Sequence, residues 1–222
     1  MKELEVMSIK GFGRNGIKYV FKLQSKGFRW KTSGSEHCLC SVVLADFSEN
    51  GIWDDLKTYL ESVKSFPDVR SILIDVTPGE QSPHLVDHFY SCLYINETDK
   101  FPTVSNFIKL YADAIEKHGI ACLDINDFFV VVRGRKILSV DMFPFENMLN
   151  EVTEKTSRFR IPENQSMIIY YQTSKKDDSK DREELEALNK LMERCELKGR
   201  LFWNYSYRED HYLCMLQTTP IW

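Results

Sequence analysis

Apolar residues fall along this chain in short runs, and most runs are followed by a stretch with helical spacing. "LEVMSI" is a strand that ends at a turn holding Gly11, Gly13 and Gly16. In "IKYVFKLQSKG" the residues Ile17, Val20, Phe21 and Gln24 share one helical face, which predicts a helix with that face inward and Gly27 as its stop. "CLCSVVLADF" is almost wholly apolar, as expected of a strand buried on both faces. Ile52, Leu56, Tyr59, Leu60 and Val63 mark a helix, and "RSILIDV" is a second buried strand closed by "TPGEQSP". "HLVDHFYSCLY" reads as a helix, with an extended segment as the alternative. Pro102 opens another, with Phe107, Leu110, Tyr111, Ala114 and Ile115 aligned and Gly119 after it.

In the second half, "IACLDI" is an apolar run ending in acid, and "FFVVVRGRKILSV" predicts a hairpin turning at Arg133-Gly134-Arg135. "FPFENMLNEVTEKT" predicts a short helix and "SMIIYYQT" a strand. The charged loop "SKKDDSKDRE" leads into a helix with the stripe Leu185, Leu188, Met192 and Cys195. "GRLFWNYSY" and "HYLCMLQT" are strands on either side of the polar turn "REDH", running antiparallel. Such alternation predicts an α/β fold: a mixed, mostly parallel sheet flanked by helices, with an antiparallel strand pair at the C-terminus. No linker rich in Pro, Gly or Ser divides it. The expected organisation is residues 1–138 and 139–222, either as two domains or as one compact unit.

The totals narrow the partners. The 222 residues are 43% hydrophobic and 28% charged, with a net charge of −4, so no overall basic field invites nucleic acid. No apolar run approaches the roughly 20 residues of a membrane span, and "MKELEV" lacks a signal-peptide core. The expectation is a soluble, cytoplasmic protein without membrane association. The six cysteines sit in or beside apolar runs, as reduced core thiols do.

Candidate chemistry begins at the glycine turn. Gly11, Gly13 and Gly16 have G-x-G-x-x-G spacing, between a strand and a helix. A phosphate would be bound there by backbone N–H groups at the start of the following helix, where the dipole also favours an anion. The dinucleotide form also wants a carboxylate about 20 residues on. Asp46 ends the next strand but lies further away, and Glu36 precedes that strand. The turn is read either as a phosphate site or as a bare turn. Asp46, Asp75 and Asp124 each close an apolar run; converging, they would hold Mg²⁺ and a phosphorylated substrate, and apart they would cap helices. His84 and His88 have zinc-pair spacing without the remaining ligands, and Cys38 with Cys40 reads as core. Trp203, Tyr205 and Tyr207 share one strand face, either a partner surface or covered by a helix.

Several segments carry a resemblance to the tubulin/FtsZ superfamily. "GFGRNGIKYVFKLQSKGF" resembles its first nucleotide loop and helix, and "CLCSVVLAD" a strand ending in an Asn-Thr-Asp-like stretch. "ILSVDMFPF" is similar to its catalytic loop. The order from "SMIIYYQT" to "HYLCMLQTTPIW" resembles the end of the FtsZ C-terminal domain. The resemblance implies GTP or GDP, or another nucleotide, at Gly11, Gly13, Arg14, Asn15, Gly16, Asp46 and Gly79, with Mg²⁺ as a possible companion. At the second phosphate loop this chain has "DVTPGEQSP", with Gly79 alone, and Pro144 stands where a second acid would follow Asp141. The implied function is therefore a degenerate family member acting through protein contact or self-association, without efficient GTP hydrolysis. Two alternatives stay open: a nucleotide-binding or Mg²⁺-dependent phosphate-processing enzyme, and a small α/β interaction module with no ligand.

Overall fold

The structure is a computed structural model. It describes residues 2–4, 6–30, 38–64, 66, 68–79, 88–115, 123–144, 160–161, 163–173, 182, 185–186, 189–190, 193, 196–207 and 210–221. Contacts divide the chain into two compact units. The first holds residues 1–112, 132–138 and 220–222, and the second residues 113–131 and 139–219.

In the first unit, β1 (Lys2–Leu4) pairs in parallel with β3 (Phe28–Trp30), beside the main sheet. The strand expected over "LEVMSI" is thus two strands with a bend between them. The main sheet runs β2 (Met7–Phe12), β4 (Cys40–Ala45), β5 (Arg70–Asp75), β6 (Ser91–Tyr94), then the start of β7 (Gly134–Pro144). All of these neighbours are parallel. Helix α1 (Gly13–Ser25) follows β2, and α2 (Ile52–Lys64) follows β4. The five expected core positions of α2 are all buried, packed with Phe12, Val43 and Leu73. Fully burying one such aliphatic side chain contributes about 1.5–3 kcal/mol. Helix α3 (Phe101–Ala114) carries Pro102 in its first turn and buries Phe107, Leu110, Tyr111 and Ala114 as its spacing predicts.

Three expectations fail here. The segment "HLVDHFYSCLY" ends in β6, whose four residues are buried, so its end follows the extended alternative and not the helix; its start lies outside the described residues. Short apolar runs buried on all sides carry no period that separates helix from strand. The hairpin at Arg133-Gly134-Arg135 is instead helix α4 (Ile125–Val132) followed by β7. Asp124 and Asp127 cap each other's backbone N–H at 2.8 and 3.3 Å and start that helix, and Gly134, at φ 87°, begins β7. "ILSVDMFP", likened above to a catalytic loop, accordingly lies within a strand. Third, α1 is turned from its expected face. Tyr19 and Leu23 are buried with Gly13 and Gly16, while Ile17 is 48% exposed and Phe21 65%.

The second unit has the strand order β7, β12 (Tyr212–Pro220), β9 (Ser166–Thr173), β11 (Arg200–Tyr207). β9 pairs antiparallel with β12 and parallel with β11, so the antiparallel C-terminal pair is β9 with β12. The last two strands do not pair with each other, because β9 lies between them. A small parallel pair joins β8 (Arg160–Ile161) to β10 (Glu196–Leu197). One sheet face is apolar, with Met167, Ile169, Tyr171, Tyr205, Leu213 and Met215. On the other, Tyr170 donates or accepts at Ser206 Oγ (2.6 Å), and the Tyr212 hydroxyl donates to Asp113 Oδ2 at 2.6 Å. Burial first, then the Asp113 carboxylate, pushes the Tyr212 phenol far up, so it stays a donor. Trp203 is half exposed and Tyr205 is buried against Tyr171. The expected helix at "FPFENMLNEVTEKT" falls almost wholly outside the described residues. In "ELEALNKLMERCEL", residues 185, 186, 189, 190 and 193 are helical and Leu185 packs on the apolar cluster.

Candidate functional site

Parallel register places the C-terminal ends of β2, β4, β5 and β6 along one edge: Phe12 lies opposite Ala45, Ala45 opposite Asp75, and Asp75 opposite Tyr94. The residues that follow these ends form the candidate site. Asp46 N–H donates to Phe12 O at 2.9 Å and Val76 N–H to Ala45 O at 2.9 Å, so the ladder continues into the loops.

The three glycines have a packing reason. A Cβ on Gly11 would meet Gly16 O at 2.5 Å, and one on Gly16 would strike the Leu44 carbonyl oxygen. Gly13 has φ 69°, and a Cβ there would strike the Asp46 carbonyl oxygen. The turn is pressed onto the end of β4, with room for backbone only. That contact also fixes which face of α1 turns inward.

Asp46 caps this helix from across the sheet. Its Oδ2 accepts from Asn15 N–H at 3.0 Å and from Asn15 Nδ2 at 2.7 Å, and its Oδ1 accepts from Ser48 N–H at 3.0 Å. The residue at the helix's own N-cap position, Phe12, offers no side-chain cap. Burial pushes the Asp46 carboxyl up, but the bonds from Ser48 and Asn15 outweigh it and hold the group below its ordinary value. A negative charge thus already sits where the α1 dipole favours one.

Asp75, also buried, accepts from Thr77 N–H at 2.8 Å, and Thr77 Oγ1 accepts from Phe47 N–H at 2.9 Å. The Lys100 ammonium is buried beside them and donates to Thr77 O at 2.6 Å. Asp99 Oδ1 accepts from Phe101 N–H at 3.2 Å, capping α3. The Tyr19 ring meets Phe101 edge-on at 5.2 Å. Burial foremost, then the charges of Asp99 and Asp46, raises the Tyr19 hydroxyl's pKa against a backbone bond at Lys100. Arg14 points to solvent, its Nε 3.6 Å from Glu49 Oε1 in an exposed pair of little energetic weight. Gly79 is exposed at φ 86°, in the loop after β5.

The structure therefore brings Gly11, Gly13, Arg14, Asn15, Gly16 and Asp46 together, with Asp75 at the end of the next strand. Asp124 belongs to the second unit, where its carboxylate caps α4. Among the described residues no group of three His, Cys, Asp or Glu side chains is placed to hold a metal ion. His84 lies outside the described residues, and exposed His88 meets the Trp53 ring at 5.4 Å. Cys38 and Cys40 are buried free thiols, as expected. Sequence reasoning missed Lys100 and Asp99. The signal was available, since "ETDKFP" places an Asp cap and a Pro at a helix start.

By sequence, neither a family model nor a curated protein matches the chain. By structure, FtsZ from M. jannaschii, an empty dimer, is similar at TM-score 0.60 and 10% identity, covering 96% of this chain and 88% of that one. CetZ1 from Haloferax volcanii, a GDP-bound monomer, is similar at 0.58 and 9%, covering 96% and 93%. TubZ, a type III plasmid segregation protein, is similar at 0.52 and 12%, covering 93% and 70%. At these identities the likeness concerns architecture, and it spans nearly the entire chain: the protein has a tubulin/FtsZ-like fold.

Proposed function

We propose that this chain is a divergent tubulin/FtsZ-like protein, soluble in the cytoplasm, that acts through contact with other chains, first of all copies of itself, and turns over GTP inefficiently. The observation that carries this reading is a fold match over 91–96% of the chain to proteins described as an FtsZ dimer and as a CetZ2 protofilament from Haloferax volcanii with GTPγS. Inefficient hydrolysis is supported by Asp46. Its carboxylate takes the Asn15 N–H and supplies the negative charge at the start of α1, so an incoming phosphate meets repulsion there. Asp141, likened above to a catalytic acid, sits in strand β7.

Sedimentation velocity at several concentrations, with and without GTP and Mg²⁺, tests the proposal. Association that grows with concentration, together with phosphate release near background, is the expected result. A monomer at every concentration and in every nucleotide state overturns it.

A second reading, nucleotide binding at Gly11, Gly13, Arg14, Asn15, Gly16, Asp46 and Gly79 with Mg²⁺ at Asp46 and Asp75, draws on a different observation. Two helix starts and the Lys100 ammonium gather at this sheet edge. Melting temperature followed with GTP, GDP and ATP, with and without Mg²⁺, decides it. Ligand at about 100 times its Kd adds about 2.7 kcal/mol, and Arg14→Glu should diminish the shift.

A further inference from the structure

We propose that the outer face of α1 is a docking surface for an anionic lipid bilayer. The glycine contacts with β4 turn Tyr19 and Leu23 inward, which leaves Ile17 and Phe21 on the outside, 48% and 65% exposed. Arg14 and Lys18 stand on the same face, with Lys22 at its edge, each one helical turn from the next. Lys22 and Lys26 fold over the Phe101 ring at 4.7 and 5.0 Å, and Lys26 also donates to Ser105 Oγ. Arg14 and Lys18 reach outward. Among the described residues, Glu49 stands beside Arg14.

Charge in the chain is partitioned around this helix. From Lys10 to Lys31 there are seven basic residues and no acidic one, so that stretch carries +7 of a total of −4, leaving −11 for the rest. Of these seven, Arg14, Lys18 and Lys22 line this face, so a negative surface attracts it. The shape selects between kinds of anionic partner. The shallow depression over the face is lined by Arg14, Ile17, Lys18, Phe21, Lys22 and Ser25, all from α1 itself, so among the described residues no second element provides a groove wall. A peptide held in a groove requires such walls. A fluid headgroup layer does not, and it accepts a ridge carrying a central Phe and Ile with cations beside them. No helix among the described residues is long and apolar enough to cross a membrane, and lying on a surface requires no such span.

Co-sedimentation of the full chain with vesicles tests the proposal. The vesicles are phosphatidylcholine alone or mixed with phosphatidylserine, and polyglutamate serves as a soluble acidic probe. The expected result is partition onto the phosphatidylserine vesicles that weakens as salt rises. Lys18→Glu should lower it by on the order of tenfold. Phe21→Ser should lower it as well, with the melting temperature unchanged. Lys57→Glu, on α2, should leave partition as it is. The proposal is overturned by absence of phosphatidylserine-dependent partition, by equal partition of wild type, Lys18→Glu and Phe21→Ser, or by binding to polyglutamate without binding to vesicles.

Discussion

Asp46 is the side chain on which the candidate site turns. It is a buried carboxylate whose two oxygens take three hydrogen bonds, and those bonds hold its pKa down. A group with a depressed native pKa contributes stability above its unfolded value, about 3.9, and loses it as pH falls through the lower native value. Asp46→Asn should therefore cost about 1.5–3 kcal/mol at neutral pH, and the gap from wild type should close below about pH 4. Urea denaturation at a series of pH values measures it; a gap that stays constant down to pH 2 would contradict this role. Gly16 makes a second case. An alanine there must displace the Leu44 carbonyl, which is backbone and cannot swing aside, so Gly16→Ala should cost about 1–3 kcal/mol with no ligand present. A thermal melt unchanged by this substitution would return the glycine spacing to the phosphate reading alone.

Helix α1 is defined by which of its faces is inside. Leu23 is fully buried, whereas Phe21 is two-thirds exposed, although both lie in the same apolar stretch. Leu23→Ala should destabilise by about 2–5 kcal/mol through loss of burial and a residual cavity. Phe21→Ser should stay within about 0.5 kcal/mol of wild type. Chemical denaturation of the pair reads the orientation directly, and the reverse ranking would put Ile17 and Phe21 back in the core. The regular spacing of α2 and α3 left no such ambiguity, because each shows a single apolar stripe against a charged or polar one. In α1 the apolar residues Ile17, Tyr19, Val20, Phe21 and Leu23 spread around much of the circumference, and small Gly13 and Gly16 count for nothing in a hydrophobicity pattern. Their close approach to β4 nevertheless decides the rotation. The helix α4 was missed for a related reason. "FFVVV" is apolar at every position, and only the Asp124–Asp127 caps and Gly134 distinguish a short helix from a strand.

At the scale of the molecule, the described residues include one apolar cluster centred on α2, β4 and β5 and another on β9, β11 and β12. Leu56 and Leu213 are fully buried in the first and the second cluster respectively. Local stability follows local burial, so Leu56→Ala should lower native-state hydrogen-exchange protection first in β4 and β5, and Leu213→Ala first in β9 and β12. Equal loss everywhere from either substitution would show that the chain opens only as a single unit.

The strand and helix alternation, the buried parallel strands and the core stripes of α2 and α3 were determined by sequence alone, because each is a local period imposed by backbone geometry on apolar residues. The C-terminal order of strand, helix, strand and strand was equally visible, and with it the likeness to FtsZ. Tertiary structure alone decided three further matters. It set β9 between β11 and β12, joined Asp46 to Asn15 across 31 residues, and turned Phe21 outward. Each depends on contacts between segments distant in sequence, and such contacts leave no period along the chain to be read.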